Sequence, residues 1–378
     1  MKGRAIKERR RQCNCWLENQ ANSRRSAHIA ELLILWHLFV MKEYDLVKTA
    51  DRGGPEHGMV SPKWYQTPVD RAVLKKLLQR SDAPAIRDAV LYYGLMAVFA
   101  IIAVMLMPSW WALPFWLAYG VFYASGSDAR WHECGHGTAF KTVWMNRVVY
   151  HIASFMIIRN PVTWRWSHAR HHTDTLLVGR DAEIAVMNPP RAMRLIMNIF
   201  GLPDIIDSFR RMAFHVFGHI MPDEALYTPV HEQPKIFVVA RIWVAIFATT
   251  LASTLYFQSF IPLLLIGGPR IYGSWHFIMT GYLQHAGLRE NVADHRLNTR
   301  TVMMNPISRF LYLNMNYHIE HHMFPMVPYY HLPALHQNIA HDLPPACPSI
   351  AAAYAEILPV IWRQYRGEQV FLERHLPV

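Results

Sequence analysis

Two long apolar stretches divide the chain. From Ala89 to Ser127 no charged side chain occurs, and Pro108 falls near the middle of the run. A second apolar region extends from Ile242 to Leu288 and is broken only by GGPR at Gly267–Arg270. A bilayer crossing takes about 20 apolar residues at a rise of about 1.5 Å each. Each stretch is therefore long enough for a helical hairpin. The first is expected to turn near Pro108 and Ser109. The second is expected to turn at GGPR, where Gly and Pro punctuate, with Pro262 offering an earlier turn. The predicted spans are residues 89–107, 109–126, 242–265 and 271–288. The first turn has no Lys or Arg, whereas Gly126–Lys235 has twelve. The positive-inside rule then places that segment and both termini in the cytoplasm, with Arg270 a single dissenting charge. The expected fold is an all-α integral membrane protein, with four transmembrane helices in two hairpins and a cytoplasmic helical cap.

The first residues fit this plan poorly. MKGRAIKERRRQ is basic, and IAELLILWHLFVM is too short to span. Residues 1–58 are read as a basic arm with a short interfacial apolar segment. MVSPKWYQTPVD from Met59 reads as a cleaner beginning for a domain covering 59–378, and the arm is assigned no function.

Composition agrees with a membrane setting. Hydrophobic residues make up 52% and charged ones 17% of the 378 residues, against roughly 25% charged in soluble domains. Cys13, Cys15, Cys134 and Cys347 form no CxxC pair, so neither an iron–sulfur site nor a disulfide framework is indicated. The net charge of +11 suits segments facing anionic lipid. Basic residues are scattered and no nucleic-acid motif occurs, which argues against a nucleic-acid partner.

Candidate chemistry comes from the 22 histidines. WHECGHG contains the HExxH pattern, in which two histidines one helical turn apart bind zinc and the glutamate acts as base. SHARHHTDT supplies His168, His171 and His172, and NYHIEHHMFP supplies His318, His321 and His322. Both read HxxHH. Positions i, i+3 and i+4 share a helix face, so each triplet is expected to aim three imidazoles at one point. With His132 and His136 there are eight such histidines, all beside the ends of predicted spans. A catalytic zinc takes three protein ligands, so eight exceed its needs and Gly135 weakens a long zincin helix. Eight imidazoles suit two ions, and a redox metal such as iron gives two ions work to do with oxygen.

HECGH, HARHH and HIEHH together resemble the three histidine boxes of the membrane-bound fatty acid desaturase family, in order and spacing, over roughly Asp88–His336. The resemblance implies a ninth ligand after the fourth span. YLQHAGL offers His285 for it, with His295 of ADHRLNTR as competitor. The implied metal ligands are His132, His136, His168, His171, His172, His285, His318, His321 and His322. They would hold two Fe²⁺ ions in the cap, with O₂ as co-substrate. VGRDAEI and QHAGLRENVADHRLNTRT are most similar to a bacterial branch that includes a dihydrorhizobitoxine desaturase and a rhizopine-catabolism oxygenase. This implies a multi-pass protein of a bacterial inner membrane with its site on the cytoplasmic side.

Such an iron pair would let the protein remove hydrogen from an unactivated C–H bond, giving an alkene or, as a hydroxylase, an alcohol. No HPGG haem stretch, GxGxxG or cysteine cluster is present, so a separate ferredoxin-like or cytochrome-like donor is expected. The mixed polarity of Arg191–Pro234 narrowly favours a small amino-acid-derived ether, such as dihydrorhizobitoxine, over a fatty acyl chain. Glu133, Asp181, Glu183, Asp294 and Glu320 are candidates to orient ligand imidazoles, Glu133 and Glu320 foremost because they sit inside boxes. Asn314 and Asn316 could hold a metal-bound water or cap the third-box helix. His215 and His219 are read as part of an interfacial helix, Tyr317 as packing, and Trp164 and Trp166 as interface anchors. A membrane zinc protease leaves both HxxHH triplets unexplained. A metal transporter would carry its ligands inside the spans.

Overall fold

The computed structural model describes residues 62–186 and 188–377. The arm at 1–58 lies outside them. The regular elements of the described residues are all helices, and β pairing is confined to two isolated bridges, Thr301–Tyr317 and Val302–Cys347.

Among the described residues two helical stretches are long and apolar enough to cross a membrane, Arg71–Met105 and Val230–Tyr256. The first stretch contains the helix Asp82–Met105, which stops before Pro108 as expected. The turn that follows exposes Trp110 and Trp111. The chain then returns as Ala112–Val121, makes one π-helical turn at Phe122–Gly126, and continues as Ser127–His136. The second apolar run therefore leads without a break into the first histidine box. A π turn re-aims the helix face beyond it, and such turns are frequent at functional sites. Gly137 ends the helix at φ 69°, a left-handed position glycine adopts without a Cβ penalty.

The second apolar region is organised differently from the expected hairpin. Its long helix spans Gln233–Tyr256, nine residues ahead of the predicted start at 242. It ends before Phe257–Phe260, so the turn falls earlier than GGPR. Ser259 Oγ accepts from Ile261 N, and Pro262 opens the next short helix, Ile261–Leu265. These are start signals that carry no charge and so leave the hydropathy pattern unbroken. GGPR instead lies inside the protein. Arg270 is 1% exposed and donates through Nε to the Ile157 carbonyl and through a guanidinium NH to Ser274. The dissenting charge is thus not at a turn. The final helix of the region, Trp275–His285, has 11 residues.

Close packing seats that helix. Gly120 and Gly273 cross backbone to backbone, so that a Cβ on Gly273 would stand 1.8 Å from the Gly120 carbonyl oxygen. Ser125 Oγ donates to Gly273 O at 2.8 Å and accepts from Phe277 N at 2.9 Å. Small residues and hydroxyls of this kind hold apolar helices together. A larger core, including Trp131, Tyr150, Ile157, Ile319, Met323, Leu332 and Leu335, gathers the box helices.

Candidate metal centre

Four elements meet at one place. The helix Ser127–His136 presents His132 and His136. The helix Pro161–Asp174 presents His168, His171 and His172. It is started by Pro161 and capped by Asn160, whose side chain accepts from Val162 N. The short helix His318–Met323 presents the third triplet, and His285 ends Trp275–His285.

The nine imidazoles form two groups, each with its ligand atoms within 4.8 Å of one another. His132, His136, His168, His172 and His321 make the first; His171, His285, His318 and His322 make the second. The triplets do not each converge on one point, contrary to the face argument. In both, the i and i+4 histidines serve one group and the i+3 histidine serves the other. Helix geometry gives the reason: residues i and i+4 lie about 40° apart around the axis, whereas neighbours such as His171 and His172 lie about 100° apart.

Nε2 of His168 is 3.1 Å from Nε2 of both His136 and His172, and His321 Nε2 is 3.2 Å from His172 Nε2. In the second group His318 Nε2 lies 3.2 Å from His285 Nε2 and 3.1 Å from His322 Nε2. Imidazoles bound to one ion at about 2.0–2.2 Å would have adjacent nitrogens roughly 3.0–3.4 Å apart. The opposite ring nitrogens decide what faces inward. His168 Nδ1 is 3.0 Å from Glu183, His171 Nδ1 is 2.9 Å from Asp181, and His285 Nδ1 is 2.9 Å from the Asn298 carbonyl. Thr175 donates its hydroxyl to the His171 carbonyl, which leaves it to accept from His322 Nδ1 at 3.2 Å. With the proton on Nδ1 of these four rings, Nε2 of His168, His285 and His322 faces neighbouring Nε2 atoms as a lone pair, an arrangement that a cation between them would stabilise. Nδ1 of His172, His318 and His321 is buried without a partner. Neither ring nitrogen of His132 has a hydrogen-bond partner although the residue is buried. The donor set fits two metal ions.

Electrostatics point the same way. Burial, reinforced by neighbouring imidazoles, holds His132, His136, His172, His318, His321 and His322 well below 6.5, which keeps them unprotonated and able to ligate. Burial would lower His171 too, but the charge and hydrogen bond of Asp181 outweigh it and the group is raised. Burial would raise Glu183, yet His168 brings it down to about 2.

The remaining candidates divide. Asp181 and Glu183 each hold a box imidazole. Glu133 and Glu320 do not. Glu133 accepts from Thr138 Oγ1 at 2.7 Å and from Tyr329 N at 3.1 Å, and Glu320 bonds Thr301 and His336. Inside a helical box the residue between the histidines points off the ligand face, so position in the motif misled. Asp294 caps the His295–Asn298 turn and pairs with Arg296. Asn316 donates to the Val302 carbonyl, and Asn314 ties Arg309 to Tyr329 O, so neither caps the third-box helix. His295 lies in neither group. His215 pairs with Glu224 at 2.7 Å in a buried network with Arg211, away from both groups. Tyr317 is buried in the core, and Trp164 packs edge-on against Trp131 beneath Arg159. The Asn298 carbonyl and the Thr175 hydroxyl escaped sequence reasoning. A backbone oxygen has no residue signature, and Thr175 shows only in the fold.

The family model for fatty acid desaturases matches residues 108–354, well over half of the chain. The chain belongs to the fatty acid desaturase family. Among its relatives is a probable fatty acid desaturase of Sorghum bicolor, 25% identical over 249 residues, covering 58% of this chain and 63% of the relative. A chloroplastic omega-3 fatty acid desaturase of Ricinus communis is 25% identical over 286 residues, covering 67% and 58%. An acyl-lipid omega-3 desaturase (cytochrome b5) of the endoplasmic reticulum of Arabidopsis thaliana is 26% identical over 273 residues, covering 67% and 69%. The chain thus spans about three fifths of the length of the first two. The region matched to the desaturase family contains all nine clustered histidines and leaves out residues 62–107.

Proposed function

We propose that the chain is an O₂-dependent di-iron desaturase. His132, His136, His168, His172 and His321 would hold one ion, and His171, His285, His318 and His322 the other. The observation that carries this reading is the convergence of nine imidazoles in groups of five and four, with Nδ1 of His168, His171, His285 and His322 held by partners outside the groups. An iron pair bound there would supply O₂-dependent removal of two hydrogens from adjacent carbons, using electrons from a separate donor. The chain's own residues set the rest. Glu183 and Asp181 fix the His168 and His171 tautomers, and the apolar core around the boxes keeps water out. A zinc-protease reading of HECGH is disfavoured because the Glu133 carboxylate is fully buried and bound to Thr138 and Tyr329 N.

The four-span plan remains our reading of the topology. Both long helices and the returning runs 112–126 and 261–285 would cross, with the cap on the cytoplasmic side of a bacterial membrane. The turns at Leu106–Trp111 and Phe257–Phe260 carry no Lys or Arg, which now satisfies the positive-inside rule without a dissenter.

For the substrate, an acyl chain is favoured over a small amino-acid-derived ether. Part of the polar set between boxes two and three is consumed internally: Arg211 pairs with Asp207, Asp223 and Glu224, and His215 with Glu224. The side chains that segment exposes include Met193, Ile196, Phe200, Phe214 and Phe217. Relatives named as acyl-lipid desaturases point the same way. The test is metal analysis of anaerobically purified protein together with product analysis in a bacterial host, comparing lipids with soluble metabolites. About two irons per chain and new double bonds in acyl chains are expected. One zinc and no iron would end the di-iron reading. Desaturation of a supplied amino-acid ether with lipids unchanged would reverse the substrate assignment. Alcohol without alkene would make the enzyme a hydroxylase.

A further inference from the structure

Trp64 lies outside the histidine boxes and outside the matched region, yet it approaches both imidazole groups. Its indole stacks on His295 with ring centroids 4.1 Å apart and planes 3° from parallel. His295 is buried, and its ring centroid is 5.0 Å from that of His322 in the four-nitrogen group. The same indole donates Nε1–H to the Thr173 carbonyl at 2.9 Å. Thr173 is covalently joined to His172 of the five-nitrogen group. On its outer side the pair reaches the surface, since Trp64 is half-buried and both Lys63 and Thr173 are exposed.

The segment holding Trp64 is pinned rather than loosely laid on the cap. Tyr65 N donates to Ala293 O at 3.0 Å, and Gln66 Nε2 donates to Met323 O at 2.8 Å. Tyr65 OH and Thr67 Oγ1 both donate to Asp342 at 2.7 Å, and Arg296 covers the Tyr65 ring at 3.6 Å. An aromatic pair fixed in this way makes a contiguous path of π systems from solvent to one imidazole group, with a hydrogen-bonded branch to the other. Electron tunnelling falls off exponentially with the gap to be crossed, so contact at each step favours this route over any that crosses looser packing.

We propose that Trp64 and His295 are the relay by which a one-electron carrier protein delivers electrons to the two metal groups. The proposal rests on the di-iron reading above. Each passage oxidises the carrier by one electron and reduces one ferric ion to ferrous. Two passages per turnover, with two hydrogens from the substrate and two protons from solvent, balance the reduction of O₂ to two waters.

The experiment is stopped-flow reduction of the oxidised, iron-loaded protein, without substrate, by reduced [2Fe–2S] ferredoxin, by reduced cytochrome b5 and by dithionite. Wild type is compared with Trp64→Leu and Trp64→Phe. Trp64→Leu is expected to slow reduction by whichever carrier serves the wild type by roughly tenfold or more, because the aromatic step between the surface and His295 is lost. Iron content and the dithionite rate should stay unchanged, and Trp64→Phe, which keeps a stacking ring, should restore most of the rate. Equal carrier rates in wild type and Trp64→Leu would overturn the relay. Lost iron, or equal slowing with dithionite, would assign the pair a purely structural role and overturn it as well. Wild-type protein that binds no iron would instead overturn the di-iron reading itself.

Discussion

His168 Nδ1 lies 3.0 Å from the Glu183 carboxylate, and Glu183 is held down to about 2 by that contact against the upward pull of its own burial. The pair fixes which ring nitrogen can meet a metal. Because Nδ1 carries the proton, Nε2 turns toward His136 and His172 as a lone pair. Glu183→Gln removes the charge while keeping the shape. It is expected to weaken metal retention by about 10–100-fold, the usual effect of losing a carboxylate behind a ligating histidine. Iron remaining after dialysis against a chelator series measures it, and retention equal to wild type would show that the tautomer is set by the metal alone.

Acid should unfold the metal-free protein early. Six box histidines sit well below 6.5 in the folded state. As pH falls under about 6.5, the unfolded chain takes up protons at these positions and the folded chain does not. Their stabilising contribution is therefore present above that value and lost below it, at about 1.4 kcal/mol per pH unit for each fully depressed group. His171 and Glu133, both raised, act in the opposite sense, whereas His295, lowered by burial to about 3, adds to the six. The Tm of the metal-free protein in detergent should fall by at least several degrees between about pH 7.5 and 5.5. A flat profile would mean that water already reaches these rings.

That the boxes and His285 come together was implied by the family resemblance, whereas i, i+3 and i+4 spacing alone predicted that each triplet converges on one point, which it does not. How the triplets share themselves out was not read, although the 100° step between His171 and His172 contains it. The turn at Phe257–Phe260 stayed hidden because hydropathy registers charge, and Ser259 and Pro262 mark it without any. The error over Glu133 and Glu320 came from treating nearness in sequence as nearness in space. Both carboxylates face away from the imidazoles toward Thr138 and Thr301. The Trp64–His295 stack joins parts of the chain with no shared pattern, and only the fold brings them together.

Glu133 yields a prediction that separates two chemistries. Burial raises its carboxyl to about 7, and its Oε1 accepts from both Thr138 and Tyr329 N. A glutamine offers the same acceptor, so Glu133→Gln should keep bound metal and retain activity within about tenfold, whereas a zincin would lose its general base and its activity. Glu133→Ala strands two buried donors and should lower stability by about 1–3 kcal/mol. Activity assays with metal analysis on both variants make the comparison. Abolished turnover with full metal in Glu133→Gln would revive the protease chemistry.

Gly273 tests how the second imidazole group is positioned. An added Cβ there would stand 1.8 Å from the Gly120 carbonyl oxygen, a backbone atom that no rotamer change can move aside. The helix Trp275–His285 begins two residues later and is rigid along its length, so displacement at Gly273 carries through to His285. Overpacking of this kind costs about 1–3 kcal/mol or more, and here the strain is delivered to one ligand of four. Gly273→Ala is expected to lower Tm and to reduce iron from about two per chain toward about one, because the five-nitrogen group does not include His285. Gly94 is the control. Nothing lies within 4 Å of a Cβ added there, so Gly94→Ala should leave iron unchanged and leave Tm equal or slightly higher, since alanine favours a helix interior by roughly 0.5–1 kcal/mol over glycine. Iron analysis and thermal melts of the three proteins decide it. Full iron in Gly273→Ala would mean that His285 is held by the Asn298 carbonyl independently of the helix that bears it.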